Sequence, residues 1–303
     1  MRSRPSRSLR TRLQWTVLRE NLRRRGCEDM VRDHRAALKG ELPPPTGEGV
    51  LFAACDDGYY ARFAADLVFS AEATGHSHRV HIHLYNPSPE TLAHAGVLRK
   101  SLVHTRLTCS WEGTEYERFD IDPVIYFAAT RFIMTQHLLE ASQSPVLSVD
   151  IDGFVHRPLG EAFDLVRAAD ATFHFRLTER RIWRRILAAA VGFNYSPAAL
   201  AFCRRTARAT MASYRQRPDF HTDQIVLYHM YRFARRWLPG IHWQHLPLGL
   251  VDYDFRDDSF IWTAKGARKD DATFVRIIGD LQERFSDQYD ALPPLDRDAA
   301  AGA

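Results

Sequence analysis

From residue 49 onward, short apolar runs alternate with longer segments of helical period. Residues 50–55 (Val-Leu-Phe-Ala-Ala-Cys) are apolar without alternation, the pattern of a strand covered on both faces. Residues 60–73 place Phe63, Leu67 and Ala71 four apart, which predicts a helix closed by Gly75. At 79–85, Val80, Ile82 and Leu84 alternate with polar neighbours and predict a second strand. A helix at 89–100 and a strand at 102–109 follow. Residues 123–141 then form a long amphipathic helix, with Pro123 in its first turn and Ile125, Ala129, Phe132 and Leu139 on one side. The run 144–152, opened by Pro145, is a short buried strand. Strands at 171–177 and 188–195, helices at 197–216 and 222–237, and strands at 243–246 and 259–262 complete the pattern. This alternation predicts an α/β fold, a mainly parallel sheet flanked by helices in one domain.

The first 46 residues read differently. Residues 1–35 hold eleven arginines against four acidic residues, so the whole basic surplus of a chain of net charge +4 lies there. On a helix, Leu9, Leu13 and Val17 form one stripe and Trp15, Leu18 and Leu22 a roughly opposite one. A helix lying in a membrane plane has a single apolar face, so the expectation is a solvated or partner-bound helix. Its charge allows peripheral contact with anionic lipid head groups; nucleic acid is not the expected partner. Pro43, Pro44 and Pro45 break any helix and mark a linker. The expected organisation is therefore a basic arm over 1–46, a domain over 47–292 and a disordered tail over 293–303.

The 303 residues are 45 % hydrophobic and 12 % aromatic, enough for a substantial core and unlike a disordered chain. No apolar run spans a membrane, and the basic start has no apolar core behind it, so neither an anchor nor a cleaved signal is expected. Cys27, Cys55, Cys109 and Cys203 are scattered without a C-x-x-C pair, as in a reduced, cytoplasmic protein, peripheral at most at the inner membrane face.

The strand at 144–152 ends in Asp150-Ile151-Asp152. Residues i and i+2 of a strand share a face, so both carboxylates present their oxygens side by side. Left alone they repel, and a hard cation such as Mn²⁺ or Mg²⁺, shared with phosphate oxygens, relieves that. Asp56 and Asp57 end the first strand of the domain, and ligands of open α/β sheets collect at such ends. His81 and His83 share a strand face, but no carboxylate lies nearby to complete a metal site, so the expectation is a sheet surface under a helix rather than a metal pair. Neither G-x-G-x-x-G nor G-x-x-x-x-G-K-[ST] occurs, so phosphate falls to a metal and to side chains such as Lys265, Arg268 or Lys269.

In order, these pieces resemble the GT-A-fold glycosyltransferases, and within them the family 8 enzymes such as glycogenin and the bacterial lipo-oligosaccharide galactosyltransferases. Residues 54–59 (Ala-Cys-Asp-Asp-Gly-Tyr) resemble the base-binding A-D-D-N-Y segment, and Arg131 the arginine of a helix ahead of the metal motif. Asp150 and Asp152 resemble the L-D-x-D metal ligands, and Phe193-Asn194-Tyr195-Ser196 the F-N-x-G strand. Asp223-Gln224 resembles the D-Q pair facing the reacting carbon, and Gly266 and Lys269 the end of H-x-x-G-x-x-K. The resemblance implies metal-dependent transfer of a sugar, with retention, from a nucleotide-diphosphate sugar, UDP-linked, to a glycan or glycolipid acceptor. Asp56, Asp57, Tyr59, Arg131, Gly266 and Lys269 would bind the donor, and Asp223, Gln224 and Asn194 would serve catalysis. Three positions depart from the pattern: Gly58 replaces Asn, Ser196 replaces Gly, and Thr263 stands where the family has a metal-binding His. That last change leaves open an inactive binding protein that engages an anionic polymer or membrane through its arm. A sugar-phosphate nucleotidyltransferase would need a Gly-rich loop after the first strand, which is absent.

Overall fold

The computed structural model describes residues 6–23 and 25–295. Two helices, α1 (Arg7–Leu22) and α2 (Glu28–Ala37), come first, then a two-residue strand β1 (Lys39–Gly40). Next come β2 (Val50–Asp56), α3 (Asp57–Ala73), β3 (His78–Tyr85), α4 (Pro89–Lys100), β4 (Thr105–Glu112) and α5 (Pro123–Ser142). The middle of the chain supplies β5 (Val146–Val149), β6 (Gly153–Val155), α6 (Gly160–Arg167), β7 (Ala171–Phe175) and β8 (Ile186–Phe193). Helices α7 (Pro197–Tyr214) and α8 (Thr222–Trp237) precede the short strands β9 (Trp243–His245), β10 (Val251–Asp252) and β11 (Ile261–Thr263). Helices α9 (Ala272–Arg284) and α10 (Ser286–Asp290) end the described chain, so most of the expected tail, 296–303, lies outside the described residues.

Eight strands form the main sheet in the order β1-β4-β3-β2-β5-β8-β7-β9. Strands β4, β3, β2 and β5 are parallel neighbours, as βαβ connections require. Strand β8 runs antiparallel between β5 and β7, and β1 antiparallel to β4, so the mainly parallel expectation holds with two reversed strands. The period of two along β2 sends Leu51, Ala53 and Cys55 into a core with Leu67 of α3. Val50 and Phe52 point the other way, into a core built from α1, α5, α7 and α8. A second sheet, β10-β11-β6, packs through β6 against the second half of α3. It is tied down by the Val155 amide, which donates to Ser70 Oγ of α3 at 2.9 Å.

Two expectations change. The basic arm is not a separate, solvated segment: Leu9, Leu13 and Val17 are buried in the second core, beside Phe202 of α7 and Phe233 of α8. Strand β1 adds to the sheet edge, with Lys39 opposite Trp111 and Gly40 opposite Ser110. One histidine of this pair, His83, does meet a carboxylate, while His81 meets the Thr108 and Ser110 hydroxyls. Glu112, at the end of β4, lies 3.8 Å from His83 Nε2 and 2.6 Å from Nε2 of His34, which α2 carries in. Burial raises the Glu112 carboxyl, but the two imidazoles outweigh it and hold it near about 2. Sequence distance concealed this cluster, which fastens α2 to the sheet. Among the described residues no group of three or more His, Cys, Asp or Glu side chains has the geometry of a metal site, and no helix is long and apolar enough to cross a membrane.

Truncating the docked stripe of α1 costs stability while truncating the outer one does not. Leu13→Ala, fully buried, is expected to lose about 2–4 kcal/mol in urea unfolding. Leu22→Ala, at 63 % exposure, is expected to stay within about 0.5 kcal/mol of the wild type. Acid acts on a second group at the same joint. Burial, reinforced by the charge of Arg232, lowers the His229 imidazole from 6.5 to about 4. The unfolded chain therefore takes up this proton first, so stability is complete above pH 6.5 and falls as pH drops toward 4. Unfolding midpoints measured across that window should decline, and His229→Gln should flatten part of the decline.

Candidate active site

Strand β5 ends at Val149, and the next residues turn sharply rather than continue it. The Asp150 amide donates to the Ala189 carbonyl of β8 (3.2 Å), and the Gly153 amide donates back to the Asp150 carbonyl (3.1 Å). A Cβ at 153 would stand 3.1 Å from that carbonyl oxygen, so a glycine suits the turn. Asp150 and Asp152 thus occupy a turn between two sheets, not one face of a strand as their spacing implied. The turn sits at the C-terminal edge of the parallel strands, where α/β sheets place ligands.

Each aspartate has a cation. Arg131, projecting from α5, places one guanidinium nitrogen 2.7 Å from Asp150 Oδ1 and another 3.2 Å from Asp223 Oδ2 at the start of α8. Its Nε donates to the Ala128 carbonyl at 2.9 Å, which fixes the side chain along its own helix. Burial opposes the charge on Arg131, but Asp150 and Asp223 outweigh it and raise its proton affinity. Lys269 Nζ lies 3.1 Å from Asp152 Oδ2, while the Thr263 hydroxyl donates to Asp152 Oδ1 at 3.3 Å. Asp152 is 7 % exposed, and burial with the nearby Asp150 charge raises its carboxyl against the pull of Lys269. Lys269 also stands over the rings of Tyr59 and Phe63, at 4.4 and 4.6 Å from their centroids.

These contacts gather Tyr59, Arg131, Asp150, Asp152, Asp223 and Lys269 at one edge from sequence positions more than two hundred residues apart. Gly266, at φ +66°, supplies the left-handed residue that opens the turn carrying Lys269. Asp56 is the last residue of β2, and its carboxylate accepts from the Tyr59 amide (2.9 Å) to cap α3. Asp57 turns to the loop after β3, accepting from the Ser88 amide at 2.9 Å. The Gln224 amide meets His221 Nδ1 at 3.2 Å instead of the carboxylates. Asn194 is not brought to the site. Strand β8 runs against β5, pairing Val149 with Ala190 and Val146 with Phe193, so Asn194 emerges at the opposite edge. It lies about 17 Å from Asp150 along the strand direction. There its side chain donates to the Arg167 carbonyl at 3.0 Å. The part of β8 beside Asp150 is the small, apolar Ala188–Ala190 stretch.

Sequence reasoning missed two residues here. Tyr253 follows β10, and its hydroxyl is raised by burial and by the charges of Asp150 and Asp152. His221 precedes α8 at φ +72°, and burial lowers its imidazole despite the nearby Asp223. Neither carries a motif, and a positive φ on a histidine has no sequence signal.

No known family profile and no curated protein matches the sequence. Solved structures do match. The galactosyltransferase LgtC, in complex with donor and acceptor sugar analogs, superposes with a TM-score of 0.55 at 15 % identity over 79 % of this chain and 99 % of its own. A second LgtC structure, an active-site mutant, gives 0.55 at 14 % identity over 78 % of this chain and 95 % of its own. The bifunctional glycosyltransferase WbbM gives 0.52 at 11 % identity, over 80 % of this chain and 52 % of its own. The chain has the GT-A-like fold of these glycosyltransferases, in a single domain.

Arg131 is the hinge of the site's electrostatics. Arg131→Met leaves two acids facing one another without their cation and is expected to cost about 3 kcal/mol in urea unfolding. Adding Asp223→Asn should recover at least about 1 kcal/mol of that loss in a double-mutant cycle.

Proposed function

We propose that this chain is an enzyme that transfers a sugar from a nucleotide-diphosphate sugar, UDP-linked, to a saccharide or glycolipid acceptor, with retention at the anomeric carbon. The observation that carries this reading is the paired arrangement at the sheet edge, Arg131 between Asp150 and Asp223 and Lys269 against Asp152 and Tyr59. It joins five of the six motif segments that resemble the family, on the fold LgtC adopts with its donor and acceptor analogs.

The donor set suits a metal held jointly with substrate. Two carboxylates and a neutral Thr263 hydroxyl fall short of a site made by protein alone, but Mg²⁺ and Mn²⁺ commonly take one or two carboxylates together with substrate phosphate oxygens. Bound by Asp150, Asp152 and a diphosphate, such an ion would offset the negative charge of the leaving group. The remaining work belongs to side chains. The Tyr59 ring, 40 % exposed beside the end of β2, offers a stacking surface to a base, with Asp56 next to it as an acceptor. Lys269 and Arg131 supply fixed positive charge toward the diphosphate as the glycosyl bond breaks. Asp223, and Gln224 through the His221 loop, line the side on which the sugar would lie. The four cysteines are free thiols, which agrees with a cytoplasmic enzyme.

Calorimetric titration with UDP, with and without Mn²⁺, followed by turnover assays on a panel of UDP-sugars, tests the reading. Mn²⁺ is expected to tighten UDP binding by roughly tenfold or more in the wild type. Asp150→Asn/Asp152→Asn should abolish that enhancement and the turnover. Metal-dependent turnover undiminished in the double variant, or no nucleotide binding at all, would overturn it.

A further inference from the structure

We propose that the outer face of α1, together with the last turn of α8, docks onto a bilayer rich in anionic phospholipid. The two opposed apolar stripes of α1 have separate fates. Leu9, Leu13 and Val17 are buried against the domain, while Trp15 at 65 % and Leu22 at 63 % exposure stand in solvent with the half-buried Leu18 between them. Two apolar faces argue against a lone helix lying in a membrane plane. Once one face is buried in protein, the other is the single apolar stripe that such a helix requires.

The charge around the stripe is of one sign. Arg7, Arg12 and Arg19 are exposed on α1 and Arg23 just past its end, and none of them has a carboxylate partner among the described residues. The only acid of α1, Glu20, is 3 % exposed and turned inward, toward the Cys27 amide and Arg208. Helix α8 extends the surface: Gln14 and Leu18 share a groove of about 250 Å³ with Arg232, Arg236 and Trp237. Trp237 is 51 % exposed, with the Arg236 guanidinium 5.2 Å from its ring. The only acid of α8, Asp223, belongs to the site at its other end and is 6 % exposed.

Arginines alone would suit any polyanion. Aliphatic and indole side chains standing clear among them favour a lipid interface, where a tryptophan ring sits at head-group depth and a leucine enters the acyl boundary. Phosphates and bases offer nothing to Leu18 and Leu22. Helix α1 meets the rim of the candidate cleft from its inner side: Arg10, half-buried and roughly opposite Trp15 on the helix, lies 5.4 Å over the Trp183 ring, and Trp183 stacks at 5.9 Å on His221, two residues before Asp223.

Co-sedimentation of the full chain with vesicles tests the proposal without any nucleotide, so its failure is separable from failure of sugar transfer. The wild type is expected to bind vesicles of equal parts phosphatidylglycerol and phosphatidylcholine, to ignore pure phosphatidylcholine, and to release with added salt. Trp15→Ser/Leu22→Ser and, separately, Arg12→Glu/Arg19→Glu should each weaken binding by roughly tenfold. Both variants should keep the wild-type melting temperature and UDP affinity. Absence of vesicle binding, unchanged binding in the Trp15/Leu22 variant, or preference for duplex DNA over anionic vesicles would overturn it.

Discussion

Three carboxylates and two cations at the C-terminal edge of the sheet set the terms for the rest of this molecule. Asp150, Asp152 and Asp223 come from a turn and a helix start, and all are at least largely shielded from water. Acids so placed do not stay ionised together without compensating positive charge. Arg131 and Lys269 supply it from α5 and from the turn that follows β11. One Coulombic arrangement therefore ties the middle of the chain to its last third, and fixes where α5, α8 and the small sheet stand relative to β5. Arg131 is held along its helix by the Ala128 carbonyl, so its position does not depend on the acids alone.

A second constraint is the two-sidedness of the sheet. Central strands buried on both faces need two cores, and helices α3 and α4 serve only one of them. The opposite face is covered by α5, α7 and α8, and α1 fills the remaining apolar surface. The N-terminal helices are thus part of the core's closure. Helix α2 is fixed by a different means, the buried meeting of His34 with Glu112 and His137.

Much of this was legible in the sequence. The apolar runs at 50–55 and 79–85, the Pro123 start of α5 and the alternation of periods located the parallel half of the sheet. Of the site, Tyr59, Arg131, Asp150, Asp152, Asp223 and Lys269 come together, while Asn194 does not. Asn194 entered only through the resemblance of residues 193–196 to F-N-x-G, and an apolar strand reads the same either way, so nothing in the sequence told that β8 runs against β5. The Asp pair was located correctly but given the wrong backbone, because the Gly153 turn follows the motif and only its carbonyl contact reveals it. The arm was misjudged for a related reason. Two opposed stripes left open a solvated or a partner-bound helix, and the partner for Leu9, Leu13 and Val17 lay about two hundred residues away in the same chain.

The two-residue pairing of Lys39 and Gly40 with β4 has a bearing on solubility. Strand β4 is the outermost long strand, and its free side would offer a row of amides and carbonyls to another molecule. Gly40, at φ +83°, lies so close to Trp111 and the Cys109 carbonyl that a side chain there would collide with both. The Glu41 amide donates to the Cys109 carbonyl at 2.8 Å, and prolines 43 to 45, none of which has an amide hydrogen, then carry the chain away. A proline run cannot donate to a ladder, so the seam ends in a segment on which no further strand can template. The stretch before residue 47 thereby acts as selvage for the Cys109–Trp111 end of the sheet's edge.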